Sequence, residues 1–257
     1  LDIELPQQDN SLKSRIFIRK SSEIIGGKFD ANSYRTYYKE LKFAIKNTHY
    51  TTSKLYDLVG IGCGGNWGSD LIDDYDAEKF VISTVIRATE FDNQGNLNFI
   101  PDKVKKRLIS KNIFDKINLQ LNDLIIEKSG GSENQPVGRI AIIDEDAVSK
   151  GFLIHSNFIH KISVTSNLVY PDYLFYFLKL THFIKLTESM QSQTNGIRNL
   201  IMSEYLAQTI IIPSLDKQQE IVTHIQNLRH QAKQLEQDAE QILADAKREI
   251  ERVVLGE

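Results

Sequence analysis

Cysteine is nearly absent: Cys63 is the only one in 257 residues. A single thiol excludes a disulfide framework and a cysteine-ligated zinc site, and it points to a reducing compartment, so the cytoplasm is the expected location. Long apolar runs are missing as well. The best, from Leu168 to Leu180, is broken by Pro171, Asp172 and Lys179, well short of the ~20 residues that cross a bilayer; no membrane is expected as a partner. The opening Leu1-Asp2-Ile3-Glu4-Leu5 has no positive flank and no apolar stretch, so it is no signal peptide. It also lacks an initiator methionine, and the chain reads as a piece of something longer. With 41% hydrophobic and 25% charged residues, disorder and low-complexity classes are excluded and a core can be buried. The length suits one substantial globular unit with an appendage.

No sign of charge dominates. The net charge is −3, and from Asp216 onward nine acidic residues face six basic ones, which leaves 25 of each sign in 1–215. A globular part so balanced does not grip nucleic acid by charge alone, but it allows a local basic patch.

Three stretches follow one another. Residues 1–52 read as a polar lead-in and a helix: Asp30-Ala31-Asn32-Ser33 is a cap cluster, Tyr34, Tyr37, Tyr38, Leu41, Phe43 and Ile45 have helical spacing, and Thr51-Thr52-Ser53 is expected to end it. Residues 53–215 mix short β-branched runs with turn signals. Strands are expected at Phe80–Ile86, Leu124–Glu127, Arg139–Ile143, Phe158–Val164 and Thr209–Ile212, the last cut off by Pro213. Helices are expected over Asp172–Leu186 and shortly after Ser203. Strands and helices interspersed without regular alternation make the fold class α+β. Residues 216–257 carry an apolar seam at Ile221, Ile225, Leu228, Ala232, Leu235, Ala239, Ile242 and Ala246, alternating four and three apart. This is a coiled-coil pattern, followed by a stutter before Ile250 and Val253. A helix unbroken from Lys217 to Leu255 would be roughly 55–60 Å long, too long to bury its seam alone. It wants a partner helix.

Several catalytic possibilities fail on inspection. The run Gly60-Ile61-Gly62-Cys63-Gly64-Gly65-Asn66-Trp67-Gly68 is followed by acidic Ser69–Asp76, with no helix start and no Lys-Ser/Thr; it suits a turn presenting Asn66 and Trp67 better than a phosphate cradle. Asp30, Glu40 and Lys42 lack the strand pair that a nuclease uses to converge its carboxylates. Asp73-Asp74-Asp76 lacks the Gly and terminal Glu of a calcium loop. His155 and His160, if on one strand, would point to opposite faces. No metal, no catalytic residue and no cofactor is expected in this chain.

The polar loops carry more. Lys128-Ser129-Gly130-Gly131-Ser132-Glu133-Asn134-Gln135 leads to Arg139; His155-Ser156-Asn157 precedes a strand; and Gln191-Ser192-Gln193-Thr194-Asn195-Gly196-Ile197-Arg198-Asn199 reads as a linking loop. Amides pair bidentately with adenine, Arg and Lys with guanine, and hydroxyls and backbone N–H groups with phosphates. Asn66, Trp67, Lys128, Ser129, Asn134, Arg139, Asn157, Thr194, Asn195 and Arg198 are therefore the candidate DNA-contacting residues. Lys128, Arg139, Asn195 and Arg198 are expected on one face.

The order Leu121–Ser132, then Val137-Gly138-Arg139-Ile140-Ala141, resembles the target-recognition domain of type I restriction–modification specificity subunits. Ser156-Asn157-Phe158, Pro171-Asp172-Tyr173-Leu174, Gly196–Leu200 and Ile211–Val222 follow in the same order, the last resembling the hinge into the family's conserved long helix. The resemblance covers about 53–255. It implies that one domain reads a half-site on double-stranded DNA. It further implies that the helix spaces two half-sites and docks DNA methyltransferase subunits and a restriction subunit, with S-adenosylmethionine, Mg²⁺ and ATP bound by those partners. Without another partner, the helix is expected to form an antiparallel homodimer. The chain departs from the family in having one recognition domain and one conserved helix where a full subunit has two of each. Lys28–Tyr34 resembles the lead-in found in half-subunits and behind fused adenine methyltransferases, which leaves open a half-subunit, a fragment, or the tail of a fused N6-adenine methyltransferase. A coiled-coil adaptor without DNA binding is the alternative of another class.

Overall fold

The computed structural model describes all residues except 2, 10, 12, 25–29, 93, 133, 134, 195 and 257, and for Thr194 the backbone alone. In chain order the first half contains α1 (Thr36–Lys46), β1 (Thr51–Lys54), β2 (Cys63–Gly64), β3 (Phe80–Ile86), β4 (Lys105–Ser110), α2 (Lys111–Ile117) and β5 (Leu124–Glu127). Then come β6 (Ser129–Gly131), β7 (Ile140–Ile142), α3 (Glu145–Ser149), β8 (Leu153–His155), β9 (Ile159–Ile162) and α4 (Pro171–Phe183). The chain closes with β10 (Gln191–Thr194), β11 (Ile197–Leu200), α5 (Met202–Leu206), β12 (Thr209–Ile212) and α6 (Leu215–Leu255). The class is α+β. Two compact units result, Leu1–Pro213 and Ser214–Glu257.

In the first unit, a four-stranded antiparallel sheet runs β2-β9-β5-β7 and a three-stranded sheet runs β4-β3-β8, in which β3 and β8 are parallel. Leu124, Ile125 and Ile126 on β5 are fully buried, which requires cover on both faces of that strand and explains its unbroken apolar run. Ile86, Ile125, Ala141, Leu153 and Ile159 form one cluster drawn from both sheets. The aromatic helix α4 starts at Pro171, as a proline in the first turn allows. The Tyr173 hydroxyl donates to the Ile211 carbonyl at 2.8 Å, fastening α4 to β12.

Four details differ from the sequence expectations. Thr51–Lys54 does not merely end α1: it forms β1, antiparallel to β12 with Thr51 opposite Ile212. The Asp30 carboxylate caps the 3₁₀ turn Ala31–Tyr34, accepting from Asn32 N at 3.1 Å, and α1 begins after it. His155 and His160 lie on separate strands, β8 and β9, because the chain turns at Ser156–Phe158. The charged run Lys105-Lys106-Arg107, where the sequence suggests no element, is strand; β4 is the edge of its sheet, where lysines discourage pairing with another chain.

The second unit is a single helix of 41 residues. The Ser214 side chain caps its start by accepting from Lys217 N, and Gly256, at φ 72°, ends it by donating its N–H to the Arg252 carbonyl. Charged and amide pairs one turn apart line its polar side, among them Lys217–Glu220 at 2.7 Å and Gln241–Asp245 at 2.9 Å. Its apolar seam is open to solvent: Leu228, Leu235 and Ile242 are 51%, 68% and 67% exposed. No helix of the described residues is long and apolar enough to cross a membrane.

Candidate nucleic-acid interface

The glutamine- and serine-rich run after α4 is a β-hairpin, β10 paired with β11 around Gly196 at φ 80°. Asn195-Gly196 between two alternating tetrads is a hairpin signal, and it is the sequence feature that the linking-loop reading overlooked. Gln193 stands opposite Arg198, and Ser192 opposite Asn199. β11 also pairs with β6, with a register shift between Arg198 and Asn199; such irregularities redirect side chains. The Ser129 hydroxyl donates to the Asn199 side-chain oxygen.

The same sheet gathers a second polar loop. The N–H groups of Lys128 and Ser129 both donate to the Phe158 carbonyl, at 2.9 and 3.3 Å, while Leu200 N donates to the Lys128 carbonyl at 2.7 Å. Lys128 and Ser129 are thus held between the Asn157–Phe158 turn and β11, and Asn157 itself is exposed. Segments distant in sequence therefore lie side by side, with Asn157, Lys128 and Ser129 next to Asn199, Arg198 one position away on β11, and the backbone of Thr194 at the hairpin end. Asn134 and Asn195 lie outside the described residues.

Asn66 adjoins this surface. Its N–H donates to the His155 carbonyl at 2.9 Å, and its side-chain oxygen accepts from Gly68 N at 2.7 Å. The glycines around it serve close approach: a Cβ on Gly62 would lie 2.7 Å from the Lys161 carbonyl oxygen, and one on Gly65 would overlap the backbone of His155. Trp67 packs partly buried against Val85, Ile109, Ile117 and Ile154, so its ring is spent on the core.

Arg139 is not on that surface. Its guanidinium forks onto Glu127, with Nε to Oε2 at 2.8 Å and Nη2 to Oε1 at 2.9 Å, and also donates to the carbonyls of Phe91 and Ala88. The charge that the sequence suggests for a base edge is consumed inside the domain. Arg198 lies 3.9 Å from Glu188. Near the surface, burial first and the Lys128 ammonium second hold the His160 imidazole down at about 4. Burial brings His155 to a similar value. Both rings are neutral at physiological pH and present no cation to a ligand. Among the described residues no three of His, Cys, Asp or Glu converge as metal ligands.

The fold places hydrogen-bonding side chains on a hairpin beside turns of the main sheet. Solved structures share the fold. An HsdS subunit from Thermoanaerobacter tengcongensis matches with a TM-score of 0.51 at 14% identity over 80% of this chain and 48% of that one. A chain from a structural study of the assembly and conformational transition of the type I R-M system matches with a TM-score of 0.50 at 14% identity, covering 80% of this chain and 45% of that one. The chain thus spans less than half the length of the solved proteins it resembles. No curated protein sequence matches it. Residues 47–244 match the type I restriction modification DNA specificity domain, and the chain belongs to that family. The family is one of recognition subunits and not of enzymes in their own right.

Proposed function

We propose that the globular unit reads a short half-site on double-stranded DNA through the surface formed by β6, the β10–β11 hairpin and the Asn157 turn. The observation that carries this reading is the cross-strand register of the hairpin. Gln193 faces Arg198 and Ser192 faces Asn199, so the hairpin offers an exposed amide, Gln193, to an adenine edge beside an arginine and a hydroxyl suited to phosphate. Around it, Lys128, Ser129, Asn157 and Asn66 supply backbone contacts that set orientation without reading sequence.

The helix α6 acts as spacer and dock. Its open seam takes a second long helix, an antiparallel copy of itself when no other partner is present, and in the assembly it holds methyltransferase subunits and a restriction subunit. S-adenosylmethionine, Mg²⁺ and ATP belong to those partners. Selection of bound duplexes from a random-sequence pool, repeated at two salt concentrations, tests the recognition reading. Enrichment of one short motif at both salts supports it. A retained pool of random sequence would overturn it and leave the adaptor role of the helix as the better account.

A further inference from the structure

A polar cleft of about 630 Å³ opens beside the β10–β11 hairpin. One wall is the hairpin itself, with Gln191, Gln193 and Arg198; another is the N-terminal segment, with Arg15 and Arg35. Both of those arginines precede the region matched to the specificity family, residues 47–244. Three guanidinium groups from distant parts of the chain therefore line one concavity, two of them from a segment that precedes the matched region.

The charges in the cleft are unevenly committed. Asp30 is occupied in capping Asn32 and Ser33, and Glu188 sits at 3.9 Å from Arg198. Arg35 donates to the Asn32 side chain at 2.8 Å. Arg15 is exposed and makes no hydrogen bond or ion pair among the described residues. The Nε of Arg198 is buried without an acceptor, and Gln191, 4% exposed, gives its Nε2 to the Val137 carbonyl but leaves Oε1 unpaired. Buried polar atoms without partners at the wall of an open cleft call for a ligand or for water. Guanidinium forks match phosphate oxygens in geometry as well as charge.

We infer that this cleft is a subsite for the DNA backbone, in which Arg15, Arg35 and Arg198 hold phosphates next to the hairpin, so that the N-terminal segment is part of the DNA interface. The inference rests on the proposed recognition of a half-site and specifies which residues position it. A single inorganic anion is a poor occupant for a cleft of this volume. A run of phosphates passing it would bring base edges to Gln193, which lines the same wall.

The test measures binding of the full chain to a mixed-sequence duplex between ~50 and ~200 mM salt, where each neutralised phosphate adds about 0.9 to the slope of log affinity against log salt. Arg15→Gln, at a side chain with no described partner, should weaken all sequences alike and reduce the slope by about 0.9. Arg15→Gln with Arg35→Gln should reduce it by roughly twice that. Glu188→Gln should do the opposite and tighten binding several-fold at low salt, a gain that a damaged fold does not produce. Unchanged affinity and slope in Arg15→Gln and Glu188→Gln, with the unmodified chain binding normally, would overturn the subsite and leave half-site recognition standing. Reduced slopes without any sequence preference in the unmodified chain would support the subsite and sink the recognition reading. No binding to any duplex at ~50 mM salt, where phosphate contacts are strongest, would remove both.

Discussion

Arg139 and Glu127 form a doubly bonded ion pair in the interior of the domain, their side chains 12% and 4% exposed. Glu127 ends β5 and Arg139 directly precedes β7, so the pair clamps the two ends of the intervening Gly-rich loop. With two backbone carbonyls as further acceptors, the arginine is satisfied where it lies. Arg139→Met should destabilise the fold by about 3–5 kcal/mol, because it strands a buried carboxylate. Replacing both partners, as Arg139→Met with Glu127→Leu, should recover most of that loss. Urea unfolding of the three variants measures it; a single-variant loss under ~1 kcal/mol, typical of a surface pair, would show that the pair is not structural.

This pair marks the limit of what the sequence reveals. Strands with buried faces were legible: Phe80–Ile86, Leu124–Glu127 and Thr209–Ile212 occur with the expected ends, since burial imposes apolar β-branched runs. The long helix α6 was legible from the helical spacing of its apolar positions and the lack of Gly and Pro between Lys217 and Leu255. Lys105–Ser110 was hidden, because an edge strand can afford charge. Among site residues, backbone hydrogen bonds bring Lys128, Ser129 and the Asn157 turn beside β11, but sequence types alone could not separate Arg198, lining a cleft, from Arg139, locked in a pair. That distinction depends on which acidic residue folding brings near. Arg15 and Arg35 carried no local signal at all, since their meeting with Arg198 is a tertiary event.

The glycine loop before Trp67 is expected to act through shape and not through a ligand. Gly65→Ala would drive a Cβ into the backbone of His155 and Ser156, whereas a Cβ at Gly130 meets open space. Overpacking of this kind costs ~1–3 kcal/mol or more. Gly65→Ala should therefore lower the melting temperature clearly. It should also disturb Asn66 and Asn157, and so weaken DNA binding in the remaining folded protein. A melting temperature equal to that of the unmodified chain would contradict the close approach.

Stability should depend on pH through three histidines. Burial holds His155, His160 and His182 each at about 4, below the ordinary imidazole value of 6.5. Their folded-state pKa values are depressed, so between roughly pH 4 and 6.5 the unfolded chain binds more protons than the folded one. Stability contributed by the neutral rings is complete above the unfolded value and falls as pH drops through that window, by up to ~1.4 kcal/mol per pH unit for each ring. Denaturant unfolding between pH 7.5 and 4.5 should show the decline. His155→Asn, or another neutral replacement that still folds, should flatten part of it. A pH-independent midpoint across this window would count against the buried neutral rings.

Self-pairing through the exposed seam of α6 is the expected oligomeric contact. Leu228, Leu235 and Ile242 at 51–68% exposure gain little from water, and pairing buries them at roughly 1.5–3 kcal/mol per side chain. Sedimentation should find dimers at tens of micromolar. Leu228→Asp with Leu235→Asp should give monomers in which the globular unit, whose own core lies in Leu1–Pro213, still melts cooperatively. A monomeric unmodified chain at that concentration would remove the self-pairing expectation.

If the helix spaces two recognition domains, discrimination should depend on the distance between half-sites. One globular unit with 25 charges of each sign has little general attraction for DNA, and non-specific affinity is typically only 10⁻⁴–10⁻⁶ M at physiological salt. Each correctly read base pair adds ~1–3 kcal/mol, so a half-site of a few pairs supports modest preference. Pairing through α6 makes the second half-site contact intramolecular. That raises avidity by ~10²–10⁴ without a new kind of contact, but only where geometry allows both units to engage at once. A rigid helical pair satisfies that condition at one separation, whereas a flexible linker would satisfy it at many. Duplexes carrying two copies of the selected half-site and differing only in spacer length should therefore show a sharp optimum for the paired protein. The Leu228→Asp, Leu235→Asp monomer should show weak, salt-sensitive binding with no optimum. Equal affinity of the paired form for every spacer would mean that α6 joins the domains without measuring the distance between their sites.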